Sequence, residues 1–227
     1  MDMSPQNSTY EIKTSRTGKK IPVVDGVHLH STYDPARESE GLIARHVSTL
    51  KKKKFILFMG LGFGYHINDA IKILKEHHGS DYKIYIIEPN NDVAKDCLRL
   101  NFINNPSVRI LAGKTINDLF NDKIFIDFLL NSPGIIAHPS SFNLHSKYFK
   151  TFLQYKAENT LKAIIENLKT EEIKKFFAKY PEDMEFNDLI YKKLLKEKNN
   201  SDQFAYLLLT LEYMTRSSKT HEEKDSI

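Results

Sequence analysis

Apolar residues run in two rhythms along this chain, and the rhythm changes past its middle. Up to Pro139, short β-type runs alternate with amphipathic stretches; beyond it the spacing is helical almost throughout. Ile21-Pro22-Val23-Val24 and Val27-His28-Leu29-His30 flank Asp25-Gly26. Asp-Gly between two such runs predicts a type I′ hairpin, whose central residues both need positive φ. Asp34-Pro35 opens a helix expected to run to about Leu50, with Asp34 as its cap and Pro35 in its first position. Phe55 to Met59 is a continuous apolar run of buried-strand length. Ile67, Ala70, Ile71 and Leu74 then mark one face of a helix closed by Gly79. Lys83 to Ile87 is a second buried strand, Asn90 or Asn91 caps a further helix, Val108 to Leu111 is a third strand, and Thr115 starts a short helix. Ile124 to Leu130 and Ile135 to Ala137 both look β-like, separated by Asn131-Ser132-Pro133-Gly134.

Three helical stripes follow: Leu161, Ile164, Ile165 and Leu168; Phe186, Leu189, Ile190 and Leu194; Phe204, Leu207, Leu208 and Leu211. Strand–helix alternation followed by helices predicts an α/β fold with a Rossmann-like, mostly parallel sheet, an N-terminal β-hairpin and a helical C-terminal extension. The expected organisation is a flexible lead-in over 1–20, the Rossmann-like domain over 21–145, the helical extension over 146–216 and a polar, frayed tail over 217–227. Around the last stripe, Tyr206, Leu209 and Tyr213 widen the apolar surface onto neighbouring faces. That breadth favours burial against another chain, as a homodimer or partner complex through the C-terminal helices.

Composition narrows the function classes. A single cysteine, Cys97, excludes an intramolecular disulfide and fits a reducing compartment; set among Val93, Ala94 and Leu98, it reads as a buried structural thiol. The N-terminus shows no basic–apolar secretory pattern, so the expected location is cytoplasmic. The strongest apolar stretch, Phe55 to Gly64, is too short to span a bilayer, so no membrane insertion is expected. The balance of 33 basic against 29 acidic residues gives no argument for nucleic acid, and Lys51 to Lys54 reads as a solvated helix end.

Candidate chemistry gathers in two places. Gly60-Leu61-Gly62-Phe63-Gly64 lies between a predicted strand and a predicted helix, where backbone amides and the helix dipole suit a phosphate or nucleoside. Glu88 ends the next strand, where a carboxylate commonly accepts from ribose hydroxyls. Gly60, Gly62, Gly64, Tyr65, His66 and Glu88 are therefore the candidate residues for a nucleotide or an S-adenosylmethionine-like ligand, the turn being closer to that of S-adenosylmethionine-dependent methyltransferases than to the dinucleotide fingerprint. The third strand, however, ends in Ala112-Gly113-Lys114, without the carboxylate such an enzyme places near adenine. The second place is polar: His28, His30, Ser31, Tyr33, Asp34, Arg37 and Glu38 crowd together, and with His138 they are expected to converge at the C-terminal edge of the sheet. No metal-ligand spacing of His or Cys occurs, so these histidines are expected to be satisfied by hydrogen bonds and not by a metal.

These residues carry a resemblance. Leu29-His30-Ser31, Tyr33-Asp34-Pro35 and Arg37-Glu38, then Gly60 to His66, Glu88-Pro89 and His138-Pro139, with a helix bearing Glu158-Asn159 and Glu166-Asn167, resemble the N-terminal domain of the motility-associated factor (Maf) family. Its members are bacterial glycosyltransferases that attach nonulosonic acids to flagellin. The resemblance implies an accessory domain linked to flagellin glycosylation, with flagellin or a separate glycosyltransferase domain as partner. The Gly-Pro-Ser-Leu loop that opens the family's catalytic domain does not occur in these 227 residues. Two alternatives stand beside this reading: a methyltransferase-like enzyme, and one half of a split glycosyltransferase.

Overall fold

The computed structural model describes residues 9–168, 170–196 and 203–211. The chain divides into two compact units between Tyr155 and Lys156. The first opens with a small antiparallel sheet, β1 (Tyr10–Thr14), β2 (Lys20–Val24) and β3 (Val27–His28), in that order. Asp25 and Gly26 have φ of 50° and 75°, and Val24 pairs with Val27, as a type I′ turn requires. Strand β1 falls within the segment expected to be a flexible lead-in. Tyr10 and Ile12 alternate onto apolar neighbours, and the Tyr10 hydroxyl donates to Asp96 at 2.9 Å, long-range anchors that local composition does not reveal.

Asp34 caps α1 (Pro35–Ala44), accepting from the amides of Ala36 and Arg37, with Pro35 in the first turn. The single helix expected to reach Leu50 is broken at Arg45 and His46, and α2 (Val47–Lys52) continues. After the break Leu50 is fully buried. Its carbonyl accepts from His78 at 2.9 Å, which ties α2 to the end of the helix that follows the first parallel strand.

That strand is β4 (Phe55–Met59), joined by β5 (Lys83–Glu88), β6 (Val108–Ala112) and β7 (Gly134–Ala137) in the parallel order β6-β5-β4-β7. Between them run α3 (Tyr65–His78), α4 (Asn91–Arg99), α5 (Ile116–Asn121) and α6 (Lys123–Leu130). The strand interiors are mostly apolar on both faces, because each face of the sheet is covered. Ile56, Phe58, Ile84, Ile86 and Ile136 pack with Phe63, Ile67, Leu74 and Cys97 on one face. Leu57, Met59, Tyr85 and Ile87 meet Leu119, Phe125 and Phe128 on the other. Each such fully buried large side chain contributes about 1.5–3 kcal/mol.

Ile124 to Leu130, expected as β-like, is helical. Asp122 accepts from the amides of Ile124 and Phe125, and Phe125 and Phe128, three apart, are buried while Ile124 and Leu130 are exposed. The apolar residues outside that stripe had masked the helical period. After β7 come α7 (Pro139–Leu144) and α8 (Ser146–Leu153). Phe149 and Phe152 of α8 join the sheet's second face, so α8 belongs to the first unit and not to the helical extension.

The second unit contains α9 (Leu161–Asn167), α10 (Glu171–Phe177), α11 (Phe186–Asp188), a π-helical turn over Leu189–Leu194 and a helical stretch at 203–211. Its core includes Leu161, Phe176, Phe177, Leu189, Ile190 and Leu194. Glu158 and Asn159 precede α9 and are not within it; the Asn159 carbonyl instead accepts from Phe186 at 2.7 Å. In the last stripe Phe204 and Leu208 pack inward, whereas Leu207 and Leu211 are exposed. Tyr213 and the tail from 217 to 227 lie outside the described residues, as do residues 1–8 of the lead-in. Among the described residues no helix is long and apolar enough to cross a membrane.

Candidate functional site

The C-terminal ends of β4, β5 and β7 bring the candidate residues together. Gly60, Gly62 and Gly64 have φ of 101°, 51° and 72°, the left-handed region that only glycine enters without strain. The room left by the missing side chains is filled by the protein itself. A Cβ on Gly62 would overlap the His30 imidazole, one on Gly60 would overlap Ser141, and one on Gly64 would overlap Ile103.

Most amides of the turn are likewise taken up internally. Gly60 N–H donates to the Ile87 carbonyl at 2.9 Å and Gly64 N–H to the Leu61 carbonyl at 2.8 Å. Leu61 N–H donates to Glu88 Oε2 at 2.8 Å and Phe63 N–H to His30 Nε2 at 2.9 Å. Glu88 Oε1 accepts from Asn90 N–H at 3.0 Å. The carboxylate expected to face ribose hydroxyls is thus fully buried and turned into the loop. Burial pushes its pKa up to about 7, against the pull of the Asn90, Leu61 and Gly62 amides.

Around this turn lie three histidines from three separate segments. His30 follows β3, His66 is in the first turn of α3, and His138 precedes α7; each is at most 3% exposed. The His66 and His138 rings lie 4.5 Å apart and within 6° of parallel, and His30 is 4.8 Å from His138. Their hydrogen bonds fix tautomers. Because His30 Nε2 accepts from Phe63, its proton sits on Nδ1, which faces Glu38 Oε2 at 3.4 Å. His66 Nε2 faces the Gly60 carbonyl at 3.3 Å and so carries the proton, leaving a buried Nδ1 lone pair with no partner. His138 Nδ1 is 2.8 Å from the buried Ser141 hydroxyl. Burial, reinforced by His30, lowers the His66 pKa to about 3 despite the Gly60 bond. Burial and the two neighbouring imidazoles push His138 well below its ordinary value. Burial alone would raise Glu38, but the bonds from His30 and the Ser31 amide outweigh it and hold the carboxyl low.

A cavity of about 90 Å³ lies among His30, Glu38, Ser39, Arg45, His66 and His138. Of the polar cluster, then, His30, Glu38 and His138 converge, with His66. Ser31 and Asp34 serve the local turn and the cap: Ser31 Oγ accepts from the Tyr33 and Asp34 amides at 3.2 Å each. Tyr33 and Arg37 are exposed, with Tyr33 carrying the Arg16 guanidinium 5.4 Å over its ring. Tyr65 donates to the Lys20 carbonyl at 2.7 Å and sets its ring edge-on to His30. Ser39, Arg45 and Ser141 escaped the sequence reading. Ser141 sits three residues after His138 across a Pro139 helix start, a spacing that would have disclosed the pair.

No known family model matches the chain, and no curated protein matches it. Among solved structures, the crystal structure of MNMC2 from Aquifex aeolicus is similar over 52% of this chain and 47% of its own, at 23% identity and a TM-score of 0.35. The crystal structure of spermidine synthase from Thermotoga maritima is similar over 64% of this chain and 62% of its own, at 15% identity and a TM-score of 0.42. The chain therefore spans about half the length of the first and under two thirds of the second.

Proposed function

We propose that this chain is an accessory module of the kind its Maf-like motifs suggest, acting in flagellin glycosylation beside a catalytic transferase domain and not as a transferase by itself. One observation carries the reading: most of the glycine turn's amides are engaged by its own protein. Four of its five amides bond Ile87, Glu88, His30 and Leu61, and the volumes above its glycines hold His30, Ser141 and Ile103. A nucleotide-sugar phosphate needs free amides at such a turn, and here the turn instead locks the start of α3 to β5 and α7. Calorimetry with CMP, CMP-linked nonulosonic acids and S-adenosylmethionine at millimolar concentration should give no saturable heat. Incubation with flagellin and the activated sugar should leave the flagellin intact mass unchanged. Saturable binding that Glu88→Ala removes, or sugar transfer by the chain alone, would overturn the reading.

A nucleoside-binding enzyme of the S-adenosylmethionine type is the second reading, favoured by the place of Glu88. It ends β5 beside the turn that leaves β4, where open parallel sheets hold a ribose. It requires Glu88 to release Leu61 and Asn90, and the same calorimetry decides it. For the accessory module, the exposed Tyr206, Leu207 and Leu211 supply the surface that would meet a transferase domain or a second copy. Light scattering should show a mass above the monomer for the full chain, and a monomer with unchanged circular dichroism for Leu207→Glu. A monomer in both cases excludes the homodimer.

A further inference from the structure

We propose that His30, His66 and His138 form a binding site for one divalent transition-metal ion of the zinc class, with Glu38 at its mouth. One nitrogen from each ring lies within 4.8 Å of the others. The observation that points to an occupant is His66 Nδ1: a lone pair on a side chain 1% exposed, with no donor, on a residue that lines the cavity. An acceptor so buried calls for a cation or a donor. Imidazole donors select zinc, cobalt or nickel over magnesium or calcium. The outer bonds are those a metal-bound imidazole uses, since His66 Nε2–H faces the Gly60 carbonyl and His138 Nδ1 faces Ser141.

Binding must draw the rings together. Bonds of about 2.1 Å in a tetrahedral set hold ligand nitrogens about 3.4 Å apart. The near-parallel His66 and His138 rings have to turn for both lone pairs to meet one ion, and His30 has to exchange the Phe63 amide for it. Glu38, 3.4 Å from His30 Nδ1, then holds that ring's other N–H as an outer carboxylate partner, and the exposed Arg45 lies at the solvent side.

The test titrates the full, chelator-stripped chain with cobalt(II), with no nucleotide present, so its result stands apart from the proposed function. The expected result is one equivalent bound, visible d–d bands of a nitrogen-rich tetrahedral site, and paramagnetically shifted ring N–H signals from at least two histidines. His66→Gln should weaken binding at least tenfold, whereas His77→Gln, an exposed histidine on α3, should leave it unchanged. If His66→Gln does not fold, the number of shifted N–H signals in the unaltered chain decides. Fewer than two such signals, no stoichiometric binding, or binding lost with His77 overturns the site. Water in the same cavity would satisfy His66 Nδ1 and give none of these signals.

Discussion

At the residue scale, Gly62 and Glu88 change meaning once their surroundings are known. Their sequence context is that of a ligand cradle, and what the sequence could not disclose is that a histidine 32 positions earlier closes over Gly62. Gly62→Ala should therefore destabilise the protein in the absence of any ligand. A left-handed alanine costs roughly 1–2 kcal/mol, and displacing His30 adds the loss of the Phe63 bond, about 1 kcal/mol more. In a His30→Ala background only the backbone cost should remain. Urea unfolding of the four variants in that cycle measures the coupling, and an identical loss in both backgrounds would show that His30 does not fill the site. Glu88 makes a prediction in pH. Its folded pKa of about 7 lies above the ordinary value of 4.5, so the folded state keeps a proton that the unfolded chain loses. Stability from this group is complete below about pH 4.5, falls as pH rises to about 7, and is level above, a change on the order of 3 kcal/mol. The buried neutral His66 and His138 act in the opposite sense, costing stability as pH falls below about 6.5. The difference between the unaltered protein and Glu88→Gln isolates the Glu88 contribution. That difference should shift against the unaltered protein between about pH 4.5 and 7, and a flat difference would refute the perturbed carboxyl.

At the element scale, signals confined to a few neighbouring residues were readable. The Asp25-Gly26 hairpin, the Asp34 cap with Pro35 and the apolar strands at Phe55–Met59 and Lys83–Glu88 all carry their cause within a short window. Misreadings came where the deciding contact was distant or the apolar run was too uniform. Strand β1 depends on Asp96, far away in the chain, and α6 hides its period because Ile124, Leu129 and Leu130 surround the buried Phe125 and Phe128. Asp122 is what starts that helix, capping two amides and pairing with Arg109 at 2.9 Å. Asp122→Ala should cost about 1–2 kcal/mol, mostly the cap, since a part-exposed ion pair adds at most about 1 kcal/mol. Asp122→Asn keeps the capping oxygen and should recover most of the loss in thermal unfolding. If asparagine were as damaging as alanine, the ion pair and not the cap would be holding α6.

For the whole molecule, the change of rhythm near Pro139 predicts a helical extension from residue 146, whereas the compact units divide between Tyr155 and Lys156. The reason is physical: α8 has the same spacing as the later helices, yet Phe149 and Phe152 find partners on the sheet face formed by Leu57, Met59, Tyr85 and Ile87. Periodicity tells which residues turn inward, not which neighbour they meet. The division between Tyr155 and Lys156 matters for stability because each apolar cluster among the described residues lies wholly on one side of it. A domain of about 150 residues buries roughly 70% of the surface its unfolded chain exposes, enough to fold alone. The first unit also holds both sheets, the glycine turn and the three histidines. A fragment ending at Tyr155 should therefore be soluble, unfold in one cooperative transition, and melt within a few degrees of the corresponding transition of the full chain. The full chain should show a further transition that the fragment lacks, because separate cores lose their structure separately. Calorimetry of the two proteins checks this. A fragment that aggregates, or melts without cooperativity, would mean that the first unit depends on the second and that the clusters are not independent cores.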